Sequence, residues 1–142
     1  MRWSRRDFVQ AAAGALASGS LPGCASVAVT PVSAPDGVIR LPLRAHPRLT
    51  QPGGYLKLRP DGASTPVYVL AVADGYVAVS PICMHLGCTV DVQGARLVCP
   101  CHGSTYDREG NVLRGPTLKP LRRYATTLTG EGELLIRLDG AP

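Results

Sequence analysis

Cys83-Met84-His85-Leu86-Gly87-Cys88 and Cys99-Pro100-Cys101-His102-Gly103-Ser104-Thr105-Tyr106-Asp107 are the two stretches on which the reading of this sequence turns. Four of the five cysteines and two of the three histidines fall within 20 residues of a 142-residue chain. Thiol and imidazole donors crowded in this way point to bound metal. Six soft or borderline donors are more than one tetrahedral ion takes, so a single zinc would leave two over. Cys-x-His beside Cys-x-Cys-His is not a usual zinc-finger spacing, and a dithiol redox pair would have no use for the histidines. Two loops, each offering one thiolate and one imidazole, suit two metals with distinct ligand sets. The remaining two cysteines could then bridge the loops.

The sequence on either side predicts the scaffold. From residue 37 onward there are short β-like runs and no helical period. Val38–Leu43, Tyr55–Arg59, Val67–Val72 and Tyr76–Ser80 read as strands, followed by Thr89–Val92, Arg96–Cys99, Tyr124–Thr129 and Leu134–Leu138. Pro60-Asp61-Gly62, Asp74-Gly75, Gln93-Gly94, Glu109-Gly110-Asn111 and Gly130-Glu131-Gly132 supply turns between them. This spacing predicts an all-β fold, a small antiparallel sandwich or barrel, with the two donor-rich loops forming a separate binding subdomain.

Composition sets the bounds. The length allows one modest domain. Gly 16 and Pro 13 make up about a fifth of the chain, which favours turns over a helical bundle. A core of this size gains from a covalent or metal staple. The formal charge is +5, but Arg2, Arg5, Arg6 and Asp7 lie at the extreme N-terminus, and the remainder carries 12 basic and 9 acidic residues. That excess of +3 is too mild for nucleic-acid binding, which wants a dense basic stripe.

The paired motifs C-x-H-x-G-C and C-x-C-H-G-S-x-Y resemble the Rieske iron–sulfur family, and the resemblance extends over roughly residues 37–138. It implies one [2Fe-2S] cluster, with Cys83 and Cys99 on one iron and His85 and His102 on the other. It also implies a Cys88–Cys101 disulfide clasping the loops, and hydroxyl donors at Ser104 (to a bridging sulfide) and Tyr106 (to a ligand sulfur). Gly115-Pro116-Thr117-Leu118-Lys119-Pro120 resembles the proline segment that covers such clusters, with its second Pro displaced from the tighter Gly-Pro-x-Pro form. Gly87 and Gly103 would permit backbone conformations or close approaches that a Cβ obstructs. Two ferric irons, two sulfides, two thiolates and two neutral imidazoles sum to zero charge, whereas an all-thiolate cluster sums to −2. Reduction of a neutral centre is easier, and Rieske potentials span about −150 to +300 mV. Hydroxyl donors to sulfur favour the reduced state, so the resemblance implies the upper half of that range. Ferric iron draws charge from its imidazoles, so the midpoint should also fall with pH in alkaline solution.

The N-terminus reads as an address. Arg5-Arg6 precedes an apolar, Ala-rich stretch from Phe8 to Leu21, resembling a twin-arginine export signal. The stretch is shorter than the roughly 20 apolar residues a membrane span needs. Leu21-Pro22-Gly23-Cys24 resembles a lipobox, in which Cys24 would be acylated and anchor the chain; the plainer reading is an incidental thiol beside a cleavage site near Ala28. The expected organisation is therefore a signal over 1–24, a tether over 25–36 (or in part an edge strand), and the cluster domain over 37–142. The disulfide and the export signal agree on an oxidising space at the periplasmic side of a bacterial membrane.

Three functions compete on this reading. The first is an exported, lipid-anchored electron carrier serving redox partners such as c-type cytochromes. The second is the Rieske subunit of a quinol–cytochrome c oxidoreductase or another respiratory complex, where quinol would be met inside the assembly. The third, an oxygenase component, needs a second iron in a two-His, one-carboxylate site. With two of three histidines committed, the count is against it. A dioxygenase-type ferredoxin would lack the paired clasp cysteines. The last histidine, His46, is expected in an exposed loop. Arg114, Lys119, Arg122 and Arg123 flank the proline segment, as either a solvated basic face or a docking patch for an acidic cytochrome or anionic headgroup.

Overall fold

β4, Val67–Val72, organises the molecule, because its unbroken apolar run is buried on both faces. Val67 and Val69 point into one hydrophobic core and Tyr68 and Leu70 into another. A strand covered on both sides has no solvent face to mark with polar residues, which is why it does not alternate. The computed structural model describes residues 27–139; the signal, Cys24 and the last three residues lie outside the described residues.

The structure is nearly all β. Strands β1 (Val29–Val32), β2 (Val38–Pro42), β3 (Tyr55–Pro60), β4 and β5 (Gly75–Val79) come first. Then follow β6 (Asp91–Gln93), β7 (Arg96–Val98), β8 (Thr105–Asp107) and β9 (Val112–Arg114). β10 (Arg123–Leu128) and β11 (Glu133–Arg137) return to the larger sheet. That sheet has the order β1-β3-β4-β5-β10-β11-β2 and curls until it is nearly closed, while β6-β7-β8-β9 form a separate four-stranded sheet. Alternation does the inward sorting: Ile39 and Leu41 of β2, Leu56 and Leu58 of β3, and Leu134 and Ile136 of β11 all meet in the first core. Among the described residues no helix is long and apolar enough to cross a membrane.

Two strands, β8 and β9, were not expected, and a third, β1, bears out the alternative reading of the tether as in part an edge strand. β1 lies within the stretch read as a tether and pairs in parallel with β3, Val29 opposite Lys57 and Val32 opposite Pro60. Its small and Pro-containing sequence hid it; Pro31 is tolerated because an edge strand has one unpaired side. This is also a parallel pair in a sheet expected to be antiparallel. β8 was masked by the donor motif in which it lies, and β9 is only three residues long. Elsewhere the ends shift slightly. Thr89 contributes only an isolated bridge to Ile82, and Cys99 falls just beyond β7. His46 is partly buried rather than exposed, in a turn where its N–H meets the Leu43 carbonyl.

The second core joins the two sheets. Tyr68, Leu70 and Val79 from the large sheet pack with Cys83, Val90, Leu97, Cys99, Tyr106 and Leu121. Arg108, in the turn after β8, adds a polar strap. Its guanidinium donates to the carbonyls of Gly54 (2.7 Å), Ala71 (3.0 Å) and Gly94 (2.8 Å). Two of these carbonyls belong to the large sheet's side of the molecule, so the small sheet is held in a fixed attitude above it.

Candidate metal centre

The donor loops leave the ends of short strands and are built alike. In the first, the Cys83 N–H donates to the Cys88 carbonyl at 2.7 Å and the Gly87 N–H to the Cys83 carbonyl at 2.9 Å. In the second, Cys99 donates to Ser104 at 2.8 Å and Gly103 to Cys99 at 2.9 Å. Each turn needs a residue at positive φ, supplied by Gly87 (79°) and Gly103 (75°). A Cβ at either glycine would meet nothing within 4 Å, so the requirement is conformational and not one of close approach.

Cys88 and Cys101 are joined in a disulfide that ties the two loops together. Cys83 and Cys99 remain as free, buried thiols. The sulfurs of Cys88, Cys99 and Cys101 lie within 4.8 Å of one another. Because two of these are bonded to each other, Cys99 alone in that trio can offer a thiolate. The rings of His85 and His102 meet edge to face at 4.9 Å between centroids, one from each loop. His102 is exposed and His85 partly buried. His85 Nδ1 is buried with no hydrogen-bond partner. A buried ring nitrogen left without a partner costs free energy unless something else binds it.

Hydroxyls surround the sulfurs. The Tyr106 hydroxyl lies 3.3 Å from Cys83 Sγ and accepts the Met84 N–H at 3.2 Å, so its own proton is free for the sulfur. Burial pushes the Cys83 thiol up, but the Tyr106 hydroxyl, the His85 backbone, Cys99 and Ser104 together outweigh it and hold the thiol below its ordinary value. Burial, and then the partnership with Cys83, push Tyr106 the other way. Ser104, wholly buried, accepts the Thr117 N–H at 3.1 Å, which leaves its proton free as well. That contact seats the 115–120 segment on the second loop.

The structure thus brings together eight of the residues marked in the sequence: Cys83, Cys88, Cys99, Cys101, Ser104, Tyr106 and the paired rings of His85 and His102. It separates the four basic residues. Arg122 packs on the Tyr124 ring and reaches the Leu138 carbonyl, and Arg123 donates to Asn111. Only Arg114 and Lys119 stay on the proline segment. Sequence reasoning missed Thr117; its place between two glycine- and proline-rich marks gave no polar signal to single it out.

The model for the Rieske [2Fe-2S] domain matches residues 49–125. The iron–sulfur subunit of the cytochrome b6-f complex of Synechococcus elongatus is 39% identical over 75 residues, covering 49% of this chain and 42% of the relative. The chain therefore matches less than half the length of that relative. Among solved structures, the cyanobacterial plasma membrane Rieske protein of Synechocystis PCC 6803 superposes with a TM-score of 0.51 at 35% identity, over 59% of this chain and 86% of that one. A chain of the carbazole 1,9a-dioxygenase oxygenase–ferredoxin complex gives 0.53 at 24% identity, over 65% and 87%, a likeness of fold alone. Two buried thiols, two imidazoles and an unpartnered ring nitrogen are a donor set that fits a [2Fe-2S] cluster with mixed ligation.

Proposed function

The chain belongs to the Rieske [2Fe-2S] family, and from that premise we propose that it is a high-potential one-electron carrier working at the outer face of a bacterial membrane. Cys83 and Cys99 would hold one iron, and His85 and His102 the other. The buried, unpartnered His85 Nδ1 is the observation that carries this assignment, because a metal would satisfy a ring nitrogen that no hydrogen bond does. The cluster supplies one-electron oxidation and reduction.

The chain's own residues set the conditions for that step. The Cys88–Cys101 disulfide holds the loops at fixed spacing. The hydroxyls of Ser104 and Tyr106, each already accepting a backbone N–H, would have their own protons free for cluster or ligand sulfur, which would favour the reduced state. Leu97, Val90 and Tyr106, all wholly buried, exclude water beneath the sulfurs. The signal-like Arg5-Arg6 and the lipobox-like Cys24 support export and anchoring, and the disulfide agrees with an oxidising compartment.

Redox titration of the purified protein, followed by low-temperature EPR, tests the proposal. The expected result is a single one-electron centre with a midpoint between roughly 0 and +300 mV. Replacement of His85 or His102 by Ser should abolish it. A colourless, zinc-loaded protein, or a midpoint below zero at neutral pH, would overturn it. A second reading, a Rieske subunit of a quinol-oxidising complex, is favoured by the likeness to a b6-f subunit. Co-purification with a haem-containing complex selects that reading. A soluble monomeric pool after Cys24→Ser selects the carrier.

A further inference from the structure

The segment seated on the second donor loop, Gly115 to Pro120, is held at one residue. Thr117 is 2% exposed, although Pro116 and Leu118 on either side of it are exposed. Pro116 and Pro120 have no N–H to give. Among the described residues the segment makes no hydrogen bond from backbone to backbone, and the next such anchor is the Leu121 N–H on the Gly110 carbonyl at 2.9 Å. Its three hydrogen bonds all run through Thr117. The Thr117 N–H donates to Ser104 Oγ at 3.1 Å. The Thr117 hydroxyl donates to the Lys119 carbonyl at 3.2 Å and, more weakly, accepts the Lys119 N–H at 3.4 Å. The hydroxyl thus closes a turn over 117–119, a stretch with no proline of its own to stiffen it.

The N–H end of this turn acts on Ser104. A serine hydroxyl has one proton and two lone pairs. Ser104 is wholly buried, so water does not compete for it. The Thr117 N–H occupies one lone pair and keeps the proton from that direction, which leaves the proton for the sulfur side. Accepting a hydrogen bond also polarises the O–H and makes it a stronger donor. Tyr106 is set in the same way by the Met84 N–H at 3.2 Å, but Met84 lies inside the first donor loop, between Cys83 and His85. Ser104 is set from a separate segment, and that segment depends on one side chain.

We infer that Thr117 is a positioning residue for electron transfer: by closing the 117–119 turn its hydroxyl keeps its own N–H on Ser104, and through Ser104 it raises the potential of the centre. This rests on the electron-carrier reading. Thr117 acts only through Ser104, by keeping that proton directed at sulfur, where negative charge grows on reduction.

Thr117→Val keeps the size and branching of the side chain and removes the hydroxyl. In a redox titration its midpoint should fall by the equivalent of a three- to tenfold change in the equilibrium, about 30–60 mV at roughly 59 mV per tenfold for one electron. Thr117→Ser, which restores a hydroxyl, should return most of the shift. In a Ser104→Ala background, Thr117→Val should lower the midpoint no further. Thr126→Val, which removes a hydroxyl bonded to the Tyr76 carbonyl at 3.1 Å in the large sheet, should leave the midpoint unchanged. Hydrogen exchange over residues 113–121, read by mass spectrometry, checks the turn without a titration. Ser104→Ala should release the amide of residue 117 alone, and Thr117→Val should release those of residues 117 and 119. A midpoint that ignores Thr117→Val, an equal fall in the Ser104→Ala background, or a Thr126→Val effect of the same size would overturn the inference. So would Thr117→Val releasing only the amide of residue 119. Should Thr117→Val fail to fold, the exchange of Ser104→Ala still decides, since an unchanged Thr117 amide refutes the link. A parent protein with no one-electron centre overturns the electron-carrier reading itself; a normal parent centre with any of these contrary results overturns only the role of Thr117.

Discussion

Replacing Tyr106 by Phe removes one oxygen and almost nothing else. The ring is wholly buried and keeps its packing in the second core. What goes is the hydroxyl 3.3 Å from Cys83 Sγ, together with an acceptor for the Met84 N–H. Met84 is exposed, so water can take over that N–H, and the loss falls on the sulfur. A hydrogen bond to a charged group contributes about 1.5–3 kcal/mol. Only the difference between the oxidised and reduced states moves the potential, and one added electron is shared among several atoms. A strengthening on reduction of about 1 kcal/mol is the reasonable scale for one bond. At roughly 59 mV per tenfold change for one electron, that is a midpoint lowered by about 40 mV. The assay is a redox titration of both proteins, with EPR confirming that the cluster is retained. Ser104→Ala should shift the midpoint in the same direction, and the double variant further. A Tyr106→Phe midpoint that is unchanged or higher would refute the reasoning, since the hydroxyl could then not be donating to a sulfur that gains charge.

Tyr68 is pushed up to about 12, first by burial and then by Asp91 and Tyr55. Its folded state therefore holds the proton more tightly than the unfolded state, whose value is near 10. Stability is complete below pH 10 and falls as pH rises to about 12, by at most roughly 2.7 kcal/mol; urea unfolding across that window should show the fall, and Tyr68→Phe should flatten it. Gly54→Ala places a Cβ against the carbonyl oxygen of Arg48, which only backbone movement relieves. Since the Gly54 carbonyl also receives Arg108 and the Ala71 N–H, a loss of about 3 kcal/mol is expected in the same assay. Opening the Cys88–Cys101 disulfide by the double change to Ser frees a loop with a sequence separation of 13, and should cost about 3 kcal/mol and shorten the life of the bound cluster under chelator challenge.

The donor motifs carried the fold class, because Cys, His and Gly at those spacings have few other uses, and most strand runs were legible from alternation or from unbroken apolar stretches such as Val67–Val72. Val29–Val32 was legible only as the alternative to a tether, because its partner Lys57–Pro60 lies far along the chain and a parallel pairing leaves no hairpin turn to mark it. Thr105–Asp107 was overlooked because residues chosen for chemistry also form the ladder, Tyr106 facing Leu97 while its hydroxyl serves Cys83. The fate of the basic residues could not be read at all. Arg122 and Arg123 follow closely on the proline segment that holds Lys119, yet they turn back onto Tyr124 and Asn111. Arg108 was equally silent. Its three partners are backbone carbonyls, which leave no mark in the sequence.

The two donor loops are one conformation used twice, and their differences explain the shape of the site. In the shared hydrogen-bond frame, Cys83 corresponds to Cys99, Gly87 to Gly103 and Cys88 to Ser104. His85 corresponds to Cys101, so the second loop's imidazole is moved one place on, to His102. That offset leaves Cys101 free to bond Cys88, a pairing that joins two positions which are not equivalent. The partner of Cys88 by symmetry is Ser104, which is thereby released from any covalent duty and holds the Thr117 N–H instead. One flank of the centre is closed by a covalent bond and the other by a hydrogen-bonded segment. The second flank is the one that carries the exposed Leu118 and Lys119, so the offset that makes the disulfide also leaves Ser104 to seat that segment.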